Sequence, residues 1–176
     1  RRPVMSEAQW PAFAARLNEM GRHLKARGLL LAYHHHMGTV VETAAEIDRL
    51  MALTGPEVGL LLDTGHLTYA GGDPAAMAHR HAARIVHVHC KDVRADVLAA
   101  AKKRNSSFLD AVLEGVFTVP GDGCVDYPAV LAPLKATGYA DWLVVEAEQD
   151  PAKAHPLTYA RMGYANLARF ARDAGL

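Results

Sequence analysis

Cysteine is scarce in this chain, with two among 176 residues, Cys90 and Cys124, in unrelated contexts and without a paired spacing. Nothing therefore implies a disulfide framework, and a reducing cytoplasm is the expected compartment. Long apolar runs are also missing. None approaches the ~20 residues that span a bilayer, and no signal-peptide pattern opens the chain, so no membrane partner is expected. Nor is there an excess of charge of one sign. Nineteen Lys and Arg face nineteen Asp and Glu, which leaves no electrostatic footprint for phosphate backbones and makes nucleic acid an unexpected partner. No low-complexity linker, charge block or close repeat divides the chain, so residues 1–176 read as one domain. Histidine is the residue present in excess, at ten copies.

Helical and strand patterns alternate. Ser6-Glu7-Ala8-Gln9 has the capping-box spacing, and Trp10, Phe13, Leu17, Met20 and Leu24 follow as an apolar stripe that Gly28 ends. Leu29 to Tyr33 is a strand-length run leading into His34-His35-His36, and a helix is expected from Glu42 to Leu53. Val58 to Leu62 is the second run, ending in Asp63-Thr64-Gly65-His66, after which Asp73 caps a helix through Ala83. Ile85 to Cys90 is the third run and Trp142 to Glu148 the fourth, with a closing helix over Leu157–Arg172. Between these last two runs, helices are expected at Val93–Arg104, Phe108–Leu113 and Tyr127–Thr137, with a glycine-rich turn at Pro120–Gly123. The pattern is that of successive βα units around a parallel sheet covered on both faces. On this pattern alone a doubly wound sheet of four strands stays open, since a closed eight-stranded barrel takes ~250 residues.

Ionisable residues gather where each apolar run ends, the edge at which parallel α/β folds place their active sites. Side chains alternate along a strand, so parity assigns faces. His34 and His36 share a face, as do Leu61 and Asp63, His87 and His89, and Glu146 and Glu148. If all four faces point inward, these histidines and carboxylates converge on one volume and suit a borderline divalent metal such as manganese, cobalt, iron or zinc. His35 has the opposite parity and is expected to pack outward; His23, His79, His81 and His155 are expected in solvent, and Cys90 buried and inert.

The ordered set His34–Thr39, Asp63–His66, His87–Asp92, Gly121–Gly123 and Val144–Asp150 resembles the xylose-isomerase-like TIM-barrel superfamily, and within it the inosose (2-keto-myo-inositol) dehydratases. The more specific pieces are Tyr33–Thr39 and the Val119–Gly123 loop. The resemblance implies an α/β fold in which parallel (βα) units form the C-terminal half of a TIM barrel, about strands five to eight, of a single domain whose N-terminal half is missing. Such a half exposes two sheet edges and needs the other half-barrel, or a second copy, to cover them. It also implies a metal, Mn2+ or Co2+, held by His34, Asp63, His89 and Glu146, with His34 standing where the superfamily usually has a glutamate.

The implied reaction is loss of water from 2-keto-myo-inositol to a trihydroxycyclohexane-dione through an enediolate, in myo-inositol catabolism. A cation on the ketone oxygen stabilises that enediolate, a base takes the α-proton, and an acid protonates the departing hydroxyl. His66 and Lys91 are the first candidates for proton transfer and carbonyl polarisation; Glu148 and His36 are the second. Replacement of the superfamily's first glutamate by an imidazole weakens a symmetric two-glutamate epimerase relay and favours elimination. The alternatives are a keto-sugar isomerase or epimerase of the same superfamily, and a non-catalytic fragment.

Overall fold

The computed structural model describes residues 2–176. After a first helix, α1 (Gln9–Lys25), strand β1 (Leu31–His34) leads through a loop to α2 (Ala44–Leu53). Strand β2 (Val58–Asp63) runs directly into the short α3 (Thr64–Tyr69), followed by α4 (Pro74–His81) and a 3-10 turn at Ala82–Arg84. Strand β3 (Ile85–Cys90) precedes an excursion made of β4 (Asp92–Val93), α5 (Ala95–Arg104), α6 (Phe108–Glu114) and β5 (Phe117–Thr118). Helix α7 (Tyr127–Ala136), strand β6 (Leu143–Val145) and α8 (Pro156–Ala174) complete the chain.

The main sheet has the order β1-β2-β3-β6, parallel throughout. Strand order follows chain order without reversal, so there is no switch point and the doubly wound alternative is excluded. β2 is buried along its whole length, as an interior strand covered on both faces must be. One irregularity matters for function. Leu60 pairs with Ile85 but Leu61 pairs with His87, so Val86 bulges out of register. Gly59 makes the bulge possible: a Cβ there would lie 2.3 Å from a Val86 methyl. With the bulge, Asp63 sits level with His89; without it, Asp63 would face Val88.

Several local expectations are corrected. Gln9 accepts the Ser6 N–H at 2.7 Å, but the helix starts at Gln9 itself, so the Ser6 hydroxyl lies upstream of the N-cap and caps nothing. The apolar stripe of α1 excludes Met20, which is exposed, because the helix touches the domain through Gly21, where a Cβ would lie 2.5 Å from the Glu57 carbonyl oxygen. A complete capping box instead opens α2: the Thr43 hydroxyl accepts the Glu46 N–H, and the Glu46 carboxylate accepts the Thr43 N–H. The fourth strand is confined to Leu143–Val145, shorter than the apolar run, since its pairing with β3 ends at Cys90. The helix after Asp73 ends at His81 rather than Ala83. His81 is half-buried and 2.6 Å from Asp48, not in free solvent.

The core lies between the sheet and helices α2, α4 and α7, with Ile47, Leu50, Leu60, Leu62, Met77 and Leu131 among its fully buried members. A second cluster of Val93, Ala101, Ala111, Val116 and Phe117 sits under α5 and α6. Apolar side chains stay exposed at both sheet edges: Leu29 and Leu30 ahead of β1, and Trp142, 75% exposed, ahead of β6.

Candidate functional site

The ends of β1, β2 and β3 and the segment after β6 deliver their polar side chains to one place. Asp63 is the centre. Its Oδ1 accepts the His66 N–H at 2.8 Å and so caps α3. Its Oδ2 lies 3.4 Å from His34 Nε2, 3.5 Å from His89 Nδ1 and 3.6 Å from Lys91 Nζ. His89 Nδ1 is in turn 3.1 Å from Glu146 Oε2. Despite this crowding, His34 Nε2, Asp63 Oδ2, His89 Nδ1 and Glu146 Oε2 are all buried atoms without a well-formed hydrogen bond. Buried polar atoms are nearly always satisfied, so four such atoms converging from β1, β2, β3 and the segment after β6 call for a shared partner. Two imidazole nitrogens and two carboxylate oxygens are the donor set of a divalent transition metal, and the residues fit one.

Electrostatics agree. Burial alone would raise the Asp63 carboxyl, but His34, His89 and Lys91 outweigh it and hold it well below the usual carboxylate range. The Asp63 and Glu146 carboxylates beside it raise His89 to about 9 against the opposing effect of burial. Glu146 is held low because His89 and Lys91 overcome its desolvation.

A second group stands beside the first. His36, His66 and Glu148 bring potential ligand atoms within 4.8 Å of one another, and Lys91 lies among them. Lys91 Nζ is 2.8 Å from Glu148 Oε2, 3.0 Å from Glu146 Oε2 and 3.0 Å from His66 Nε2. Burial works against its charge, but the three carboxylates reverse that and raise it above the ordinary lysine value. Burial also drives the His66 ring neutral, further than the nearby Asp63 can oppose. The ammonium therefore donates to His66 Nε2, leaving the proton of that ring on Nδ1.

The Asp-Thr-Gly-His motif now has a local explanation. Thr64 Oγ1 donates to the Lys91 carbonyl at 2.6 Å and accepts the Lys91 N–H at 3.1 Å. Gly65 leaves room for the lysine stem, since a Cβ would fall 2.5 Å from Lys91 Cγ. The ring of Phe117 closes the other side, 5.1 Å from Nζ.

All eight residues singled out from the sequence thus sit in one cluster, but their exposure differs. The side chains of Lys91 and His66 are 0% and 1% exposed, whereas that of Glu148 is 32% exposed and His36 is half-buried. His87 lies deeper in β3, its ring 5.4 Å from that of His89. His35 is a correction. It is fully buried rather than outward, because β1 ends at His34 and strand alternation no longer governs it. Its Nε2 accepts the Asp63 N–H at 3.2 Å, and burial lowers its pKa to about 4, which keeps the ring neutral and able to accept.

Asp92 has no signal in the sequence beyond its place after Lys91. Its buried carboxylate accepts the N–H groups of Val93, Gly121 and Val125 at 2.8, 2.9 and 2.9 Å. Gly123 must lack a side chain, since a Cβ would meet Asp92 Oδ1 at 2.3 Å. The glycine-rich turn is thereby pinned to the residue that follows Lys91.

A model of the family described as xylose isomerase-like TIM barrel matches residues 2–170. The rhizopine catabolism protein MocC of Rhizobium meliloti is 59% identical over 175 residues, covering 99% of this chain and 54% of its own length. An inosose dehydratase of Halalkalibacterium halodurans is 51% identical over 160 residues, covering 90% of this chain and 53% of its own. The solved IolI protein with a bound zinc atom superposes at a TM-score of 0.58 and 20% identity, over 90% of this chain and 53% of that one, a likeness of fold. This chain spans about half the length of the curated relatives it matches.

Proposed function

The chain belongs to the xylose isomerase-like TIM-barrel family, and from that premise we propose that the protein carrying it is a metal-dependent dehydratase that removes water from 2-keto-myo-inositol in inositol catabolism. The observation that carries the metal centre is the set of four orphaned buried atoms on His34, Asp63, His89 and Glu146. The substrate assignment rests on the 51% identity to an inosose dehydratase. In this reading residues 1–176 are the C-terminal half of one barrel domain, strands five to eight, working in the cytoplasm. The exposed apolar edges at Leu29, Leu30 and Trp142 are covered by the other half-barrel.

A divalent ion, Mn2+ or Co2+, held by those four side chains would supply Lewis-acid polarisation of the ketone. The proton work falls to the groups of the second cluster with access to solvent. Glu148 takes the α-proton. His36 delivers a proton to the departing hydroxyl; its Nδ1 donates to the Met37 carbonyl at 2.8 Å, which fixes the ring and directs Nε2 inward. His66 and Lys91 stand behind this pair, orienting Glu148 and keeping water out of the interior. A second reading, action on a compound of rhizopine catabolism, is favoured by the 59% identity to MocC.

The test is to strip the protein of metal, restore Mn2+, Co2+ or zinc in turn, and follow 2-keto-myo-inositol by mass spectrometry. Metal-dependent loss of one water is expected. An unchanged mass with hydrogen exchange at the α-carbon in heavy water would move the protein to the isomerase and epimerase class. No reaction with inosose, but turnover of a rhizopine-derived compound, would establish the second reading.

A further inference from the structure

We propose that Lys91 is a built-in cation that holds this site to a single divalent ion, occupying with its ammonium the place a second ion would take; the inference rests on the metal centre proposed above. Three ligand groups overlap. Asp63, His89 and Glu146 form the first, His34, Asp63 and His66 form a second that bridges it to the third, and His36, His66 and Glu148 form that third. Imidazole, imidazole and carboxylate would themselves hold a transition metal. Lys91 Nζ stands at hydrogen-bonding distance from both His66 Nε2 and Glu148 Oε2, and from Glu146 Oε2 on the first group.

The fold is shaped to put the ammonium there. Gly65 clears the path of the stem, Thr64 clamps the Lys91 backbone from both sides, and Phe117 faces the charge. Charge arithmetic leads the same way. Asp63, Glu146 and Glu148 bring three negative charges; one divalent ion and one ammonium bring three positive ones. A buried site is least costly when its charges are balanced. A lysine reaches this balance with a single hydrogen bond to Glu148 Oε2 and none to His36. A second metal would bind both groups and remove them from proton transfer.

The experiment counts ions. The metal-free protein carrying this chain at full length is titrated with Mn2+ and followed by electron paramagnetic resonance. One ion is expected for the parent and for Lys91→Arg. Two magnetically coupled ions are expected for Lys91→Met, and one again when Glu148→Gln is added. A parent that takes two coupled ions overturns the inference without any variant. So does Lys91→Met if it stays at one ion, or if it gains a second with no coupling to the first, which then lies elsewhere on the surface. If Lys91→Met fails to fold, the neutral, polar Lys91→Gln carries the same expectation of two. A parent that binds no Mn2+ overturns the metal centre itself, an outcome separate from a count that merely fails to rise in the variants.

Discussion

The Nε2 of His35 accepts the main-chain N–H of Asp63 at 3.2 Å, in a part of the interior that water does not reach. The bond ties the end of β1 to the end of β2 just where Asp63 turns its carboxylate toward the other candidate ligands. His35→Leu leaves that amide unpaired. It is expected to cost about 1–3 kcal/mol of stability and to weaken metal binding by roughly 10–100-fold, as loss of an outer support does. Thermal melts and metal titrations check both; unchanged metal affinity would sever His35 from the site.

Asp63 uses its two oxygens differently, one on the helix and one on the site. Asp63→Asn keeps an oxygen to cap α3, whereas Asp63→Ala does not. Both are expected to lose metal binding and activity, and the alanine variant should be less stable than the asparagine variant by about 1 kcal/mol. Activity surviving in either would overturn the ligand assignment.

Glu146 and Glu148 are two residues apart but belong to different groups. Glu146→Gln is expected to lose the metal. Glu148→Gln should retain it while turnover falls by roughly 10²–10⁴-fold, the usual worth of a positioned base. Metal analysis beside steady-state kinetics separates the two. Equal metal loss in both would contradict the division.

Asp92 satisfies three backbone donors at once. Asp92→Ala is expected to destabilise the protein by about 3 kcal/mol, roughly one for each bond left unmade, and to open the Pro120–Gly123 turn to proteases. Resistance to cleavage equal to the parent's would show that the turn holds itself.

Glu46 makes part of the acid limb of stability. Burial works against its charge, but the N–H groups of Thr43 and Glu42 and the Arg2 guanidinium outweigh it and hold the carboxyl below 4.5. A lowered folded value means that its stabilisation is fully present above about pH 4.5 and is lost as pH falls through the folded value. Glu46→Gln should therefore cost about 1 kcal/mol at pH 7 and flatten the stability curve below pH 4.5. Parallel curves for the two proteins would show the pairing to be idle.

Much of the site was legible because strand parity is a strict rule. His34, Asp63 and His89 lie where alternation along three strands puts them, and Glu146 follows one residue past the end of β6. The rule failed at His35, where the strand had already ended and backbone turning took over from alternation. It said nothing of Lys91's burial, which depends on an absent side chain at Gly65, on another strand's continuation. The β4–β5 pair was invisible because two residues a strand carry no period. Met20 misled because a helix approaching through glycine leaves no apolar residue at its closest contact. The role of Asp92 is a tertiary matter, decided by two amides of the 121–125 segment beside that of its neighbour Val93.

The bulge at Val86 makes Gly59 a spacer for a centre it never touches. Four residues of strand, about 13 Å at ~3.3 Å each, separate Gly59 from Asp63, yet the missing side chain at the far end is what lets the neighbouring strand slip by one position. The slip acts as a vernier: one residue of phase decides whether an imidazole or a valine stands level with the carboxylate. Changes near the start of β2 are therefore expected to retune the chemistry at its end, and a variant there is expected to lose the proposed ion while every candidate ligand remains in the sequence.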